Sequence, residues 1–269
     1  MARAALIFPG QGSHKEGMVD EVRDAPAIAR GLELLDYDPF ARLAEGTRFQ
    51  QPAVFLCSVA RWQLERPEAI VAAGHSLGEY AALVAAGAVD FEPALALVDE
   101  RASAMADAAA LTPSGMTVFL KGEPEAIERL AASLGLIVAN DNSPGQLVLA
   151  GPIQALEQAE QRAKEETGAR AQRLDVSGAF HSPLMAPAAE RLQAALEQTA
   201  FREPRIPVYS NSSVAPFADP RRELAENLLR PVRWRETLLA FHELGVESYI
   251  ELGPGQVLTG LVKRTVPVS

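Results

Sequence analysis

The stretch VAAGHSLGEYAAL, Val71–Leu83, narrows the choice of fold more than any other part of the chain. The apolar run Ala69–Ala73 reads as a short buried strand. A turn centred on Ser76 and flanked by Gly74 and Gly78 follows it, and an alanine-rich helix runs from about Leu77 to Ala86. Strand, tight turn and helix in immediate succession imply a layered α/β structure. The neighbouring segments extend that pattern. Ala4–Phe8 is a strand candidate that leads into the glycine-rich loop PGQGSHKEG, Val54–Glu65 has helical apolar spacing, and a longer helix spans about Glu92 to Ala109.

The pattern then changes. Gly115–Leu120 reads as strand and Glu123–Leu134 as helix. Leu136–Asn140 and Leu147–Ala150 read as strands joined by the turn-rich NDNSPGQ, Pro152–Thr167 as helix and Arg170–Val176 as strand. This βαββαβ order is that of a ferredoxin-like unit. It predicts an inserted small subdomain over 111–177 within a larger α/β part formed by 1–110 and 178–269. In the second part of that larger unit, Ser182–Leu196 reads as a helix with Ser182 as cap and Pro183 at the first helical position. Pro207–Ser210 and Val246–Leu252 read as strands. Leu224–Arg230, Trp234–Leu244 and the segment GPGQVLTGLVKR read as helical.

Composition sets limits on function. The chain has 269 residues, 48% hydrophobic and 22% charged, and a net charge of −10, which argues against a broad nucleic-acid surface. No uninterrupted run of 18 apolar residues suggests a membrane span. MARAALIF is too short for a signal-peptide core, and the single cysteine, Cys57, permits no internal disulfide, so a reducing, cytoplasmic compartment is expected. Cys57 sits in an apolar helical pattern and reads as a buried structural thiol. No Cys/His cluster has metal-ligand spacing.

Gly74-His75-Ser76-Leu77-Gly78 matches G-x-S-x-G, a pattern that arises by chance in roughly one chain in ten of this length. Its context adds weight. A nucleophile elbow requires a strand, a turn too tight for side chains and then a helix whose N–H groups face the serine. A serine that merely caps the helix would explain Ser76 but not both glycines. Such a nucleophile needs a base, and the chain offers His14, His75, His181 and His242. His75 adjoins Ser76 in an extended segment, so its side chain is expected on the opposite face. His242 ends a helix and reads as structural, and His14 lies in the first glycine loop. His181, in SGAFHSPLM, stands where a strand gives way to a helix, the position at which α/β active sites collect, and is the favoured general base. The backbone N–H of Leu77, after the serine, and that of Gln11, in PGQGS, are candidate oxyanion donors. PGQGSHK is neither a dinucleotide fingerprint nor a Walker loop.

FPGQGS, QPA, GHSLGEY, an arginine in the next helix, NSPGQ, AFHS and GPGQVLTGLVKR occur in this order. Together they resemble the malonyl-CoA:acyl carrier protein transacylases, in the acyltransferase family of fatty acid and polyketide synthesis. The resemblance covers nearly the whole chain. It implies an α/β-hydrolase-like large subdomain carrying the small insert, and transfer of a malonyl group from malonyl-CoA to the phosphopantetheine thiol of an acyl carrier protein through a malonyl-serine. It implies Ser76 as nucleophile, His181 as base, Leu77 and Gln11 as oxyanion donors, and Arg101 as the holder of the malonyl carboxylate. Read alone, Arg101 would be a solvated helix charge; a planar guanidinium that meets a carboxylate gives it another reason to be there. A main-chain carbonyl from the segment RPVRW would orient the histidine, with Arg233 the expected residue. Gln51, Asn140 and Asn142 match polar positions near the site. Phe180, in Ala179-Phe180-His181, would crowd a branched acyl group. No resident cofactor is implied, and a monomer is expected. DPRREL, LLRPVRWRE and Lys263-Arg264 are candidate basic surfaces for an acidic carrier protein. A serine hydrolase acting on acyl thioesters and a non-catalytic acyl-CoA-binding module remain as alternatives.

Overall fold

The computed structural model describes residues 3–267. The chain opens with strand β1 (Ala4–Phe8), helix α1 (Pro26–Leu35) and the long helix α2 (Thr47–Glu65), then β2 (Val71–Gly74), α3 (Gly78–Ala86) and α4 (Phe91–Leu111). A middle section follows as β3 (Ser114–Leu120), α5 (Pro124–Ser133), β4 (Ile137–Ser143), β5 (Gln146–Pro152), α6 (Ile153–Thr167) and β6 (Arg170–Arg173). The last third comprises α7 (Ala186–Glu197), β7 (Val208–Ser210), β8 (Ala215–Pro216), α8 (Pro220–Glu226), α9 (Trp234–Glu243), β9 (Ser248–Glu251) and α10 (Val257–Thr265).

The strands form two sheets. The first has the order β8-β7-β2-β1-β9, in which β7, β2, β1 and β9 are parallel and β8 is antiparallel. Its central strands are buried on both faces. Ala5 and Ile7 of β1, with Val71 and Ala73 of β2, pack on Trp234, Leu238 and Phe241 of α9 and on Leu258 and Leu261 of α10. Leu6, Phe8 and Ala72 point the other way, into the larger core shared with α2, α3 and α4. This is why β1 and β2 read as unbroken apolar runs rather than as alternating ones.

The second sheet is antiparallel, with the order β4-β5-β3-β6. Its strands alternate by face. Phe119, Leu147 and Leu149 meet Ile127 and Leu130 of α5 and Leu156 of α6 in a separate core. Met116, Val118 and Val148 face the first sheet's core instead. The two sheets are joined where Val232, just before α9, pairs with β4: its N–H donates to the Ala139 carbonyl at 2.9 Å and its carbonyl accepts from Asp141 N–H at 2.9 Å. Arg235 holds the Asp141 carboxylate with two nitrogens, at 2.7 and 2.9 Å.

Several local expectations shift. Helix α1 and the start of α2 at Thr47 lie in a region for which the sequence suggests no helix, and α1 begins at a proline pre-set for the first turn. Strands β4 and β5 extend to a tighter turn at Pro144 and Gly145. Ser182 does cap, accepting from Leu184 N–H, but a 3-10 turn, Pro183–Met185, precedes α7. No helix among the described residues is long and apolar enough to cross a membrane.

Helix α3 starts so close to β1 that a Cβ on Gly78 would enter the carbonyl groups of Phe8 and Pro9. A Cβ on Gly46, by contrast, meets nothing within 4 Å, although its φ is +92°. We expect Gly78→Ala to cost more than about 3 kcal/mol of stability by urea denaturation. Gly46→Ala should cost about 1–3 kcal/mol, from its backbone conformation (φ +92°, ψ −157°) alone. Equal losses would mean that the close approach of α3 to β1 is not what requires Gly78.

Candidate active site

The carboxyl ends of β1, β2 and β7 lie side by side, as the parallel register Phe8↔Gly74 and Ala73↔Tyr209 requires. The loops that leave them converge, as in other open α/β sheets. After β2 the chain turns at Ser76 with φ +52°, an unfavourable conformation for a residue with a Cβ. Both flanking glycines are required sterically. A Cβ on Gly74 would overlap the backbone of Gly78 and Glu79, and Gly78 lies against β1 as described. The Ser76 hydroxyl does not cap α3, whose first turn has no side-chain cap. It is directed to two other groups.

The first is His181, whose Nε2 lies 2.8 Å from Ser76 Oγ. His181 also has positive φ, +58°, in the segment between β6 and α7. Its Nδ1 faces two main-chain carbonyls, Asn227 at 2.8 Å and Arg230 at 3.2 Å. Carbonyl oxygens only accept, so Nδ1 carries the proton and Nε2 is free to accept from the serine. Burial, then the positive charge of Arg101, pull the imidazole down to about 3, with the Asn227 carbonyl acting in the opposite sense. It is therefore neutral near pH 7.

The second is Arg101, on α4 and only 3% exposed. Its Nη2 donates to Ser76 Oγ at 2.9 Å, its Nη1 donates to Gln51 Oε1, and its guanidinium lies over the Tyr80 ring, 5.8 Å from the centroid. No carboxylate of the described residues forms an ion pair with it. A buried cation without an anion is costly unless one arrives from outside. Gln51, fully buried on α2, is fixed in turn: its Nε2 donates to Thr47 Oγ1 at 2.8 Å, and Thr47 donates to the Gln11 side chain at 2.7 Å. One polar chain thus runs from the loop after β1 through α2 and α4 to the serine.

Gln11 lines the space beside the serine, and Leu77, buried, is the N-cap residue of α3. A cavity of about 290 Å³ opens here. Its floor is Ser76, His75, Arg101 and His181, and the loop Pro9–Ser13 forms one rim. Its wall is the inner face of the antiparallel sheet, including Met116, Val118, Asn140, Asn142 and Val148, with Phe180 beside His181. Sequence positions from 9 to 261 thus meet in one place.

Three expectations change. Arg233 does not orient His181. Its carbonyl is the first acceptor of α9, taking the Thr237 N–H and hydroxyl at 3.0 Å each; within RPVRW it is the Arg230 carbonyl that faces Nδ1, at 3.2 Å, while Val232 docks β4. His75 does not point away: it lines the cavity, its Nε2 is 2.8 Å from Asn142 Oδ1, and its ring packs on Trp234. The arginines of the expected basic surface are mostly paired, Arg222 and Arg230 with Glu226, Arg233 with Glu236 and Arg235 with Asp141. Sequence reasoning missed Glu79, Asn211 and Asn227, which form a buried network beneath the serine. A lone acid in an otherwise apolar helix and an asparagine just past a strand end are the signals that could have found the first two.

Comparison with known proteins agrees with this geometry. The Acyl transferase domain family matches residues 31–268. The malonyl CoA-acyl carrier protein transacylase of Bacillus subtilis (strain 168) is 38% identical, covering 98% of this chain and 90% of its own length. An acyl carrier protein S-malonyltransferase from Vibrio cholerae, solved by crystallography, superposes with a TM-score of 0.92 at 39% identity, covering 98% of this chain and 94% of that one. A malonyl-transacylase solved with the acyl-carrier protein of a type II polyketide synthase gives a TM-score of 0.92 at 38% identity, with 98% and 93% coverage. The fold and its relatives are those of acyltransferase enzymes. Within that class, the chain belongs to the malonyl-CoA:acyl carrier protein transacylase family.

With the imidazole held low, kcat/KM for acetyl-CoA, which has no carboxylate to titrate, should stay flat as pH falls from 8 to about 5. Arg101→Ala removes a positive neighbour, so the His181 pKa rises and the acid limb should move up toward 6.5. A wild-type limb already near 6.5 and unmoved by the substitution would contradict the field assigned to Arg101.

Proposed function

We propose that this enzyme transfers a malonyl group from malonyl-CoA to the phosphopantetheine thiol of an acyl carrier protein, in two half-reactions through a malonyl ester on Ser76. The observation that carries the reading is the buried Arg101 guanidinium, without a carboxylate of its own, beside a serine hydroxyl already bonded to a neutral imidazole. The substrate carboxylate takes the vacant side of Arg101 as a charge-assisted pair. That pairing also offsets the charge that depresses His181, so the base strengthens once substrate is bound.

Ser76 Oγ then attacks the thioester carbonyl while its proton passes to His181 Nε2. The developing oxyanion is stabilised by the N–H groups of Leu77 and Gln11 at the dipole end of α3. The Asn227 and Arg230 carbonyls accept from Nδ1 and stabilise the imidazolium. The tetrahedral intermediate collapses, the C–S bond breaks, and the imidazolium returns its proton to the coenzyme A sulfur. The carrier's thiol repeats the sequence in reverse: it loses its proton to His181 and attacks the ester, and Ser76 leaves as the protonated hydroxyl. Thioester and phosphopantetheine belong to substrate and partner, so this chemistry calls for no resident cofactor or metal. Phe180 packs beside the base and favours an unbranched acyl chain, a preference worth about 1–3 kcal/mol per methyl.

On this reading the parallel sheet with its helices, 1–110 and 178–269, is an α/β-hydrolase-like large subdomain. The antiparallel sheet over 111–177 is a ferredoxin-like small one that roofs the cleft. The enzyme works as a cytoplasmic monomer.

Intact-mass analysis after mixing with malonyl-, methylmalonyl- and acetyl-CoA tests the proposal. Malonyl should label the protein on Ser76, and Ser76→Ala should abolish labelling. Arg101→Ala should reduce kcat/KM for malonyl-CoA about 100-fold, equivalent to roughly 3 kcal/mol, with acetyl-CoA little affected. Rapid release of malonate without carrier protein would instead identify a hydrolase.

A further inference from the structure

The Nδ1 of His181 faces main-chain carbonyls, yet a carboxyl group, pushed up to about 8 by burial, stands one step behind them. Glu79, in the first turn of α3, is 2% exposed and forms no ion pair among the described residues. Its Oε1 accepts the backbone N–H of Asn211 at 2.8 Å. Its two oxygens accept from the Asn227 side-chain amide, at 2.9 and 3.1 Å. Each asparagine serves one half of the Ser76–His181 pair.

The Asn211 side chain spans the serine turn: its Nδ2 donates to the Gly74 carbonyl at 2.7 Å, and its Oδ1 accepts Ser76 N–H at 2.6 Å. It therefore ties down the peptide groups on both sides of His75 and sets the residue whose φ is positive. Asn227 presents the carbonyl that accepts from His181 Nδ1, and its side chain is anchored by Glu79, by Ser210 Oγ at 3.1 Å and by the Ser212 hydroxyl at 2.5 Å. Nucleophile and base lie 105 residues apart in sequence, and one carboxyl group is bonded to the partner of each.

We propose that Glu79 is a positioning residue that locks the serine turn and the orienter of His181 to one another, through Asn211 and Asn227. This rests on the reading of Ser76 as nucleophile and His181 as base. It assigns to Glu79 the role that the carboxylate of a Ser-His-Asp triad performs directly, holding the imidazole in its Nδ1–H form, but acting at one remove. Both bonds enter the carboxyl group as donors, so the acceptor count at position 79 matters. Alanine removes every acceptor and strands two buried donors. Glutamine keeps one oxygen for Asn211 and presents its own amide to Asn227.

Rapid-mixing measurement of Ser76 acylation by malonyl-CoA, together with imidazole 15N spectra of selectively labelled protein, tests the assignment. We expect Glu79→Ala to lower the acylation rate constant about 100-fold, with KM for malonyl-CoA changed less than threefold. The His181 Nδ1–H tautomer should lose its dominance in the spectrum. Glu79→Gln should recover at least tenfold of that rate. Asn227→Ala cuts the same link from the other side while keeping the backbone carbonyl, and should reproduce the slow acylation and the altered spectrum even if Glu79→Ala fails to fold. Wild-type rates with a wild-type imidazole spectrum in Asn227→Ala or Glu79→Ala would overturn the proposal. So would a rise in KM that matched the loss in rate while the spectrum stayed unchanged, since that describes general loosening. Absence of a malonyl adduct on Ser76 in the unsubstituted protein would refute the underlying mechanism, a result distinct from any of these.

Discussion

The whole arrangement depends on the backbone of one residue. Ser76 sits at φ +52° between two glycines that have no room for a Cβ. A side-chain-bearing residue in this left-handed region costs about 1–2 kcal/mol. The conformation persists because the surroundings over-determine it: β2 is fixed by parallel pairing on both sides, α3 is wedged against the end of β1, and Asn211 bonds to both ends of the turn. The return is geometric. The hydroxyl leaves the sheet at the apex of the turn, where it meets groups from α4 and from the segment before α7, and the first N–H groups of α3 lie beside it. His181 stands in the same unfavourable region, at φ +58°. Asp36, Arg66, Lys121 and Val214 share that region, but Ser76 and His181 are the two whose side chains are within hydrogen-bond distance of each other.

A second constraint is electrostatic. Arg101 is a cation that the fold buries without giving it an anion, and its attachments to Gln51 and Ser76 are neutral. The polar chain from Gln11 through Thr47 and Gln51 holds the guanidinium in one orientation, so that its open side is defined before any ligand arrives. The same charge lowers His181, which couples occupancy of the anion site to the strength of the base. On the proposed mechanism, carboxylate recognition and nucleophile activation would be two consequences of one side chain, and a substrate without a carboxylate would meet a weaker base as well as a less favourable site.

Much of this was legible in the sequence because it depends on local pattern. The apolar runs of β1 and β2, the paired glycines around Ser76 and the βαββαβ order of the middle section are properties of short windows, and the physics that sets them acts over a few residues. Ser76 and His181 could be nominated from position relative to strand ends. Arg101 could not: on helix α4 its spacing is that of any solvated charge, and only packing against α2 reveals that it is enclosed. Helix α1 was illegible because its ten residues, though amphipathic, are bounded by loops and take their stability from contact with α2 and α4.

The orienter of His181 marks the limit of sequence reasoning more sharply. A carbonyl group has no residue identity, so any position whose backbone can approach Nδ1 is a candidate, and a motif cannot tell Arg233 from Asn227. The choice is made by the course of the chain. Within RPVRW, Val232 is committed to pairing with β4 and the Arg233 carbonyl to starting α9, which leaves the Arg230 carbonyl free to face Nδ1. Asn227 is the C-cap of α8, and its carbonyl is one that a helix terminus leaves unpaired, while the Arg230 carbonyl comes from the turn between α8 and Val232. A helix cap and the turn after it therefore supply the acceptors, and the side chain proposed to fix their position is a buried asparagine bonded to Glu79. The hydrolase triad places its carboxylate in contact with the imidazole. Here the carboxyl group lies behind a peptide group, with burial favouring its neutral form, and what reaches Nδ1 is a neutral dipole. Burial holds the imidazole low and the positive charge of Arg101 lowers it further; on the proposed mechanism a substrate anion on Arg101 would relieve the second of these. On that proposal the selectivity of the site would precede its reactivity.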